Sequence, residues 1–211
     1  MRRALLLCAI FVVTLASPFV TPSQAASSED VLVCCDATPV ELYLIGSDAN
    51  KRLTPFSADL AEEPQSVSVE TSISSQETIG RWLLPNTWGG DVPASTWTFS
   101  INYEVSNAAG VNINATATVS VGSKSFSAET EPGSSFLAQG SGALSFDIDV
   151  EAFTTSGSSN IEIELAAQAV LFSVPAADAK LEFFWGSEGE DSSLEATIPL
   201  MDIFMVEPEV E

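Results

Sequence analysis

The stretch of this sequence with the clearest chemical potential alternates acidic and apolar residues. Asp147, Asp149 and Glu151 lie two residues apart, and Glu162 and Glu164 repeat that spacing after a polar segment. Because successive side chains of a β-strand point to opposite faces, residues two apart share one face. Carboxylates held close together on one face can bind a divalent cation, or act as the acid and the nucleophile of a hydrolase.

We interpret this stretch as a hairpin that turns at TTSGSS, residues 154–159. If Glu151 pairs with Glu162, the same register places Asp149 opposite Glu164. Directly opposed side chains have Cβ atoms about 4.5–5.5 Å apart, and like charges there are destabilising. Solvent and salt could offset this repulsion, as on an ordinary acidic surface. A calcium ion bound by Asp149, Glu151, Glu162 and Glu164 could also do so, because calcium takes about six to eight oxygen ligands.

The segment DIDVE, residues 147–151, resembles the EIDIE strand of the laminarinase-like and lichenase-like glycoside hydrolases, which are jelly rolls. The resemblance implies Asp147 as nucleophile, Asp149 as assisting carboxylate and Glu151 as acid/base. Carboxyl groups about 5–5.5 Å apart would suit a retaining mechanism. This chain has aspartate where that family has a glutamate nucleophile, which shortens the reach of the side chain.

The four tryptophans could supply flat surfaces on which sugar rings stack. Trp97 alternates with other apolar residues, and Trp82 and Trp185 lie in apolar runs, so we expect these three in the core. Trp88 lies in PNTWGGDVP, between two prolines and beside two glycines. It is therefore expected at an exposed loop and is the candidate ligand-binding residue.

Two adjacent cysteines, Cys34 and Cys35, follow the N-terminal region. Their Cα atoms are about 3.8 Å apart across a trans peptide, whereas ordinary disulfides have Cα atoms about 4.4–6.8 Å apart. If the chain is exported, as its N-terminus indicates below, it enters an oxidising compartment, which disfavours free exposed thiols. A vicinal disulfide between them is the first interpretation, and free thiols or cross-links to another chain remain open.

The N-terminus has the pattern of a signal peptide. A basic start precedes an apolar run at residues 4–16, and small residues precede a cleavage site expected after Ala25. Residues 1–25 are then the signal peptide, and residues 26–204 one domain with an irregular stretch at 57–75. Residues 205–211 form an acidic tail expected to fray. We therefore expect an extracellular or cell-surface protein, and the mature chain has no apolar run long enough to span a membrane.

The mature chain is strongly acidic. It retains five basic residues against all 29 acidic residues, a net charge of −24. Such a surface repels nucleic acid and attracts cations, and salt screens its self-repulsion. Calcium is the one candidate cofactor, and a glycan or an envelope component is the candidate partner.

Apolar residues recur with a period of two along most of the chain, which is typical of antiparallel strands with one buried face. The clearest examples are TWTFSINYEVS, VNINATATVSV, ALSFDIDVEAF, NIEIELA and SLEATIPL. Turn-forming clusters separate them, among them SNAAG, VGSK and TTSGSSN. This pattern predicts an all-β fold, an antiparallel two-sheet β-sandwich of jelly-roll type, with an immunoglobulin-like arrangement as the alternative.

The opening CCD…ELYLIGS…LTPF, within residues 34–56, and the segment WLLPNTW resemble exported acidic β-proteins of marine archaea. That resemblance implies an exported location and no activity. The chain has no histidine for proton transfer near neutral pH. We therefore expect a non-enzymatic module that acts by binding or structural association. A carbohydrate-binding module, with or without calcium, and a small two-carboxylate glycoside hydrolase are the alternatives.

Overall fold

The computed structural model describes residues 37–47, 49–71, 75–85, 88–131, 135–189 and 191–199. The predicted signal peptide, the Cys34–Cys35 pair and the predicted acidic tail lie outside these residues. Within them, no helix is long and apolar enough to cross a membrane.

The described residues form twelve β-strands and a short 3-10 helix at Ser57–Leu60. In chain order the strands are β1 (Ala37–Ile45), β2 (Arg52–Thr54), β3 (Ala61–Val69), β4 (Glu77–Leu83), β5 (Trp88–Val92), β6 (Ser95–Val121), β7 (Lys124–Glu129), β8 (Phe136–Val150), β9 (Phe153–Ser159), β10 (Ile161–Ser173), β11 (Lys180–Ser187) and β12 (Ser193–Pro199). The predicted all-β class is confirmed.

Ten strands form one large sheet, and β5 and β9 form a separate two-stranded sheet. The large sheet runs β10-β4-β2-β1-β12-β6-β11-β3, with β7 and β8 also paired to β6. A further pairing joins β10 to β6, so the hydrogen-bonded path returns to β6. Closing the path in this way protects strand edges that would otherwise be free to pair with another chain.

Strand β6 makes this closure possible because its two halves have different partners. Its first half pairs with β12 and β11, and its second half, from Gly110 to Val121, pairs with β10. Its ladder with β8 shifts register between Val105 and Gly110. Asn107 lies in this break at a φ of 55°, and its side-chain amide donates to the backbone oxygen of Asp178 at 3.2 Å. The predicted turn at SNAAG is therefore a bend within one strand.

The core is built from the apolar faces that the period-two pattern predicted. Trp82, Trp97 and Trp185 are at most 1% exposed, which confirms their predicted core positions. The rings of Trp82 and Trp185 meet edge to face with centroids 5.3 Å apart. Strands β4 and β11 are not neighbours in the sheet, so this contact packs one part of the sheet against another.

Two predictions about local structure differ from the observed strands. TTSGSS was predicted as the turn of a hairpin, but residues 153–159 form β9, which pairs with β5. Residues 57–75 were predicted to be irregular, but Ser57–Leu60 form the 3-10 helix and Ala61–Val69 form β3, which pairs with β11. In both cases the polar strand is stabilised by a partner that its own sequence does not reveal.

Candidate functional site

An open pocket of about 300 Å³ lies between the β6–β7 turn and β9. Its lining residues are mostly small and polar: Val121, Gly122, Ser123, Lys124, Phe153, Thr154, Thr155 and Ser159. They offer four hydroxyl groups, one ammonium group and one phenyl ring. We call this the Lys124 pocket.

The register of the β6–β7 hairpin directs Lys124 towards the pocket. Lys124 pairs with Val121, and two residues further along Phe126 pairs with Val119. Cross-strand partners share a face, and Val119 and Val121 are buried. Lys124 therefore lies on the same, core-facing side of β7 as Phe126. Because it is at the end of the strand, it lies at the edge of the core.

Gly122 gives the pocket its shape at the hairpin turn. Its φ of +60° lies in the left-handed region that favours glycine. A Cβ atom placed on Gly122 would lie 2.6 Å from Oγ of Ser159. Only glycine therefore allows the turn to approach β9 this closely.

Hydrogen bonds hold the hydroxyl groups of β9 in place. Thr154 donates from Oγ1 to Oδ1 of Asp91, on β5, at 2.6 Å. Thr155 and the buried Ser159 form a hydrogen bond between their hydroxyl groups. The ring of Phe153 packs beside that of Phe126, with centroids 5.7 Å apart. The polar groups and the ring of the pocket are thus positioned before any ligand binds.

Trp88, the predicted ligand-binding residue, is the backbone partner of Ser159 in the β5–β9 ladder. Its side chain lies outside what the structure describes, so its role stays a prediction. The pairing nevertheless places Trp88 on the strand beside a residue of the Lys124 pocket.

The predicted catalytic residues lie on and just beyond the end of β8. Asp147 and Asp149 are exposed on the face opposite the buried Ile148. Asp147 accepts a hydrogen bond from Thr98 at 3.1 Å, and Asp149 accepts one from Thr96 at 3.0 Å. Glu151 is exposed just after the strand. The alternation of acidic and apolar residues therefore has the predicted geometry.

The predicted pairing of Asp149 with Glu164 and of Glu151 with Glu162 is wrong. Strand β8 pairs with β6, whereas β10, which carries Glu162 and Glu164, pairs with β4 and β6. The intervening β9 leaves to pair with β5, so no hairpin forms. The calcium site predicted at these four residues depended on that pairing, and the structure does not contain the pairing.

Glu164 has other partners in the structure. Its Oε2 forms an ion pair with Nε of Arg81 at 2.7 Å, and its Oε1 accepts from Thr78 at 3.0 Å. The nearby carboxylate of Glu164 raises the pKa of Arg81. Among the described residues, no group of three or more cysteine, aspartate or glutamate residues is placed to hold a metal ion.

A second concentration of carboxylates lies on β1 and β12. Glu41 and Glu195 are directly opposed across the two strands. Glu41 accepts hydrogen bonds from Tyr43 at 2.9 Å and from Ser193 at 3.1 Å. The hydrogen bond to Glu41, together with slight burial and the charges of Glu41 and Asp191, raises the pKa of Tyr43.

Sequence reasoning missed the Lys124 pocket because its residues come from segments about 30 positions apart along the chain. The available signal was VGSK, a predicted turn with a basic residue in an acidic chain. The strand that supplies the other wall was interpreted as a turn.

No protein-family model matches the sequence, and no curated protein matches it. The structure is similar to a crystal structure of a CocE/NonD family hydrolase from Staphylococcus aureus, with a TM-score of 0.51 at 6% sequence identity. The match covers 78% of this chain and 37% of the hydrolase. A second crystal structure from that family and organism gives a TM-score of 0.49, also at 6% identity, with 77% and 37% covered. The chain therefore spans little more than a third of the hydrolase and shares a fold with that part of it.

Proposed function

We propose that this chain is an exported, non-enzymatic β-sandwich module that acts by binding, and that its ligand is a carbohydrate. The Lys124 pocket carries this proposal. At about 300 Å³ it is at the lower end of the range for small-molecule sites, which suits one sugar ring. Its hydroxyl groups can both donate to and accept from sugar hydroxyls. The ring of Phe153 offers an apolar surface to the C–H face of the sugar.

The two-layer, jelly-roll-like arrangement belongs to the same proposal. The contact between Trp82 and Trp185 across unpaired strands supports it, as does the return of the sheet to β6. An immunoglobulin-like order of strands is the alternative. The likeness to the hydrolase supports the fold and has no bearing on activity. Export, through the predicted cleavage after Ala25, would place the pocket at the cell surface or in the medium.

Calorimetric titration of the mature protein, residues 26–211, with a panel of oligosaccharides tests the binding. Phe153→Leu keeps an apolar side chain but removes the ring, so we expect affinity to fall about fivefold. Phe136→Leu is the matched control, because Phe136 is 49% exposed and lies outside the pocket lining. If no saccharide binds at millimolar concentration, or if both variants weaken binding equally, the pocket is not the site.

A glycoside hydrolase with carboxylates Asp147, Asp149 and Glu151 is the second candidate. The exposed face shared by Asp147 and Asp149 favours it. Release of reducing ends from a β-glucan, silenced by Glu151→Gln, would support this function. Activity that survives the substitution would remove the assignment.

A further inference from the structure

Charge is distributed very unevenly between the Lys124 pocket and the rest of the chain. The sequence has 29 acidic and seven basic residues. The residues that line the pocket include one cation and no carboxylate. An acidic protein has thus placed one of its few positive charges inside its candidate binding site.

Lys124 differs in its partners from Arg81 and Lys51, two other cations of the described residues. Arg81 is held by Glu164 at 2.7 Å, and the Nζ of Lys51 lies 5.2 Å from the centre of the Trp185 ring. By contrast, no described carboxylate forms an ion pair with Lys124. Its ammonium group can therefore meet an anion without first giving up a partner.

We propose that the Lys124 pocket selects a sugar residue that carries an anionic group, a carboxylate or a sulfate. This inference rests on the carbohydrate binding proposed above. Lys124 contacts the anionic group, the hydroxyls of Ser123, Thr155 and Ser159 bind the sugar hydroxyls, and Phe153 packs on the ring. A lysine ammonium is a compact point charge with three donors, so it accommodates either anion.

Asp91 limits how strongly the pocket can attract an anion. Its carboxylate accepts a hydrogen bond from Thr154, which lines the pocket, so an acidic side chain lies close to the candidate site. The net charge of the whole chain also repels anions at long range. At physiological ionic strength the Debye length is about 8 Å, so the distant carboxylates are largely screened while direct contact with Lys124 is not.

The test compares anionic saccharides with neutral counterparts that have the same sugar ring. Digalacturonic acid and its neutral methyl ester are titrated into the mature protein at about 0.15 M sodium chloride, near the physiological regime. We expect the acid to bind about fivefold more tightly, the size expected of one partly exposed charge pair. A second pair, galactose 6-sulfate and galactose, distinguishes sulfate from carboxylate as the preferred anion.

Two lysine variants test whether the charge of Lys124 causes the preference for the anionic ligand. Within Lys124→Gln, the acid and the methyl ester should bind equally tightly, so that the preference for the acid is lost. Lys180→Gln removes the same charge from an exposed site on β11, outside the pocket lining, and should keep the preference. Equal binding of acid and ester to the wild-type protein, or a preference that survives in Lys124→Gln, would overturn anion selection and leave carbohydrate binding standing. If neither member of either pair binds while another saccharide of the panel does, anion selection fails and carbohydrate binding stands; if no saccharide of the panel binds, both proposals fail.

Discussion

Tyr43 shows how the acidic surface acts on a single residue. It donates a hydrogen bond to Glu41 at 2.9 Å, and this bond is the main reason that its pKa is raised. A group with a raised folded-state pKa stabilises the fold below its unfolded pKa of about 10, and this contribution is lost as the pH rises through the folded pKa. The free energy of unfolding should therefore fall in that alkaline range.

The ultraviolet absorbance of the Tyr43 phenolate measures this titration directly. The chain has two tyrosines, so Tyr103→Phe leaves a single signal. In that background the midpoint should lie above about 10, and adding Glu41→Gln should lower it. An unchanged midpoint in the double variant would show that Glu41 does not cause the shift.

Gly122 has a conformational role that a matched glycine lacks. Gly122→Ala should destabilise the protein by about 1–3 kcal/mol, because the turn needs a positive φ and Ser159 leaves no room for a Cβ atom. Gly157→Ala is the control, since nothing lies within 4 Å of a Cβ atom there. Its effect should stay within about 0.5 kcal/mol. Urea unfolding measures the free energy of unfolding of both variants. Equal losses of this free energy would contradict the conformational role proposed for Gly122.

At the scale of elements, the strand ladders place like charges opposite each other. Glu104 on β6 is the direct partner of Glu182 on β11, and both lie on the surface-facing side of their strands. Glu104→Gln should therefore stabilise the protein by about 0.5 kcal/mol in dilute buffer. The gain should vanish in about 1 M sodium chloride, where the Debye length is about 3 Å.

Glu129→Gln provides the matched control for this prediction. Glu129 is exposed on β7 and is paired with Thr116, so it faces no carboxylate across the ladder. In denaturant unfolding, salt should change the stabilisation caused by Glu129→Gln less than it changes the stabilisation caused by Glu104→Gln. Equal effects at both positions would mean that total charge, and not the pairing of strands, sets the repulsion.

The faces of the strands could be predicted from the sequence, but their partners could not. The alternation around Phe146 and Ile148 correctly assigned their side chains to the core, because a period of two is a local property. Pairing joins distant segments, and nothing in the local pattern shows that β8 pairs with β6 in preference to β10. The same limit hid the Lys124 pocket, whose β9 wall is polar after Phe153 and pairs with β5.

At the scale of the whole molecule, the packed core must offset the repulsion of the acidic surface. Trp82, Trp97 and Trp185 are almost fully buried, and truncation of such a side chain typically costs about 3–5 kcal/mol. Among the described residues, Glu104 and Glu182 lie on the opposite faces of the strands that carry Trp97 and Trp185, where solvent ions can reach them. Stability should therefore rise with ionic strength, because screening weakens the repulsion and leaves the core unchanged.

Calcium and sodium chloride at matched ionic strength separate screening from specific binding. Since Asp149 and Glu164 lie on strands that do not pair, and each already accepts a hydrogen bond from a threonine, we expect both salts to raise the thermal midpoint equally. A ligand that binds only the native state stabilises it in proportion to the logarithm of its concentration. A calcium-specific rise in the midpoint would therefore reveal a native cation site. Substitution of Asp149, Glu151, Glu162 and Glu164 to amides would then show whether these residues form it.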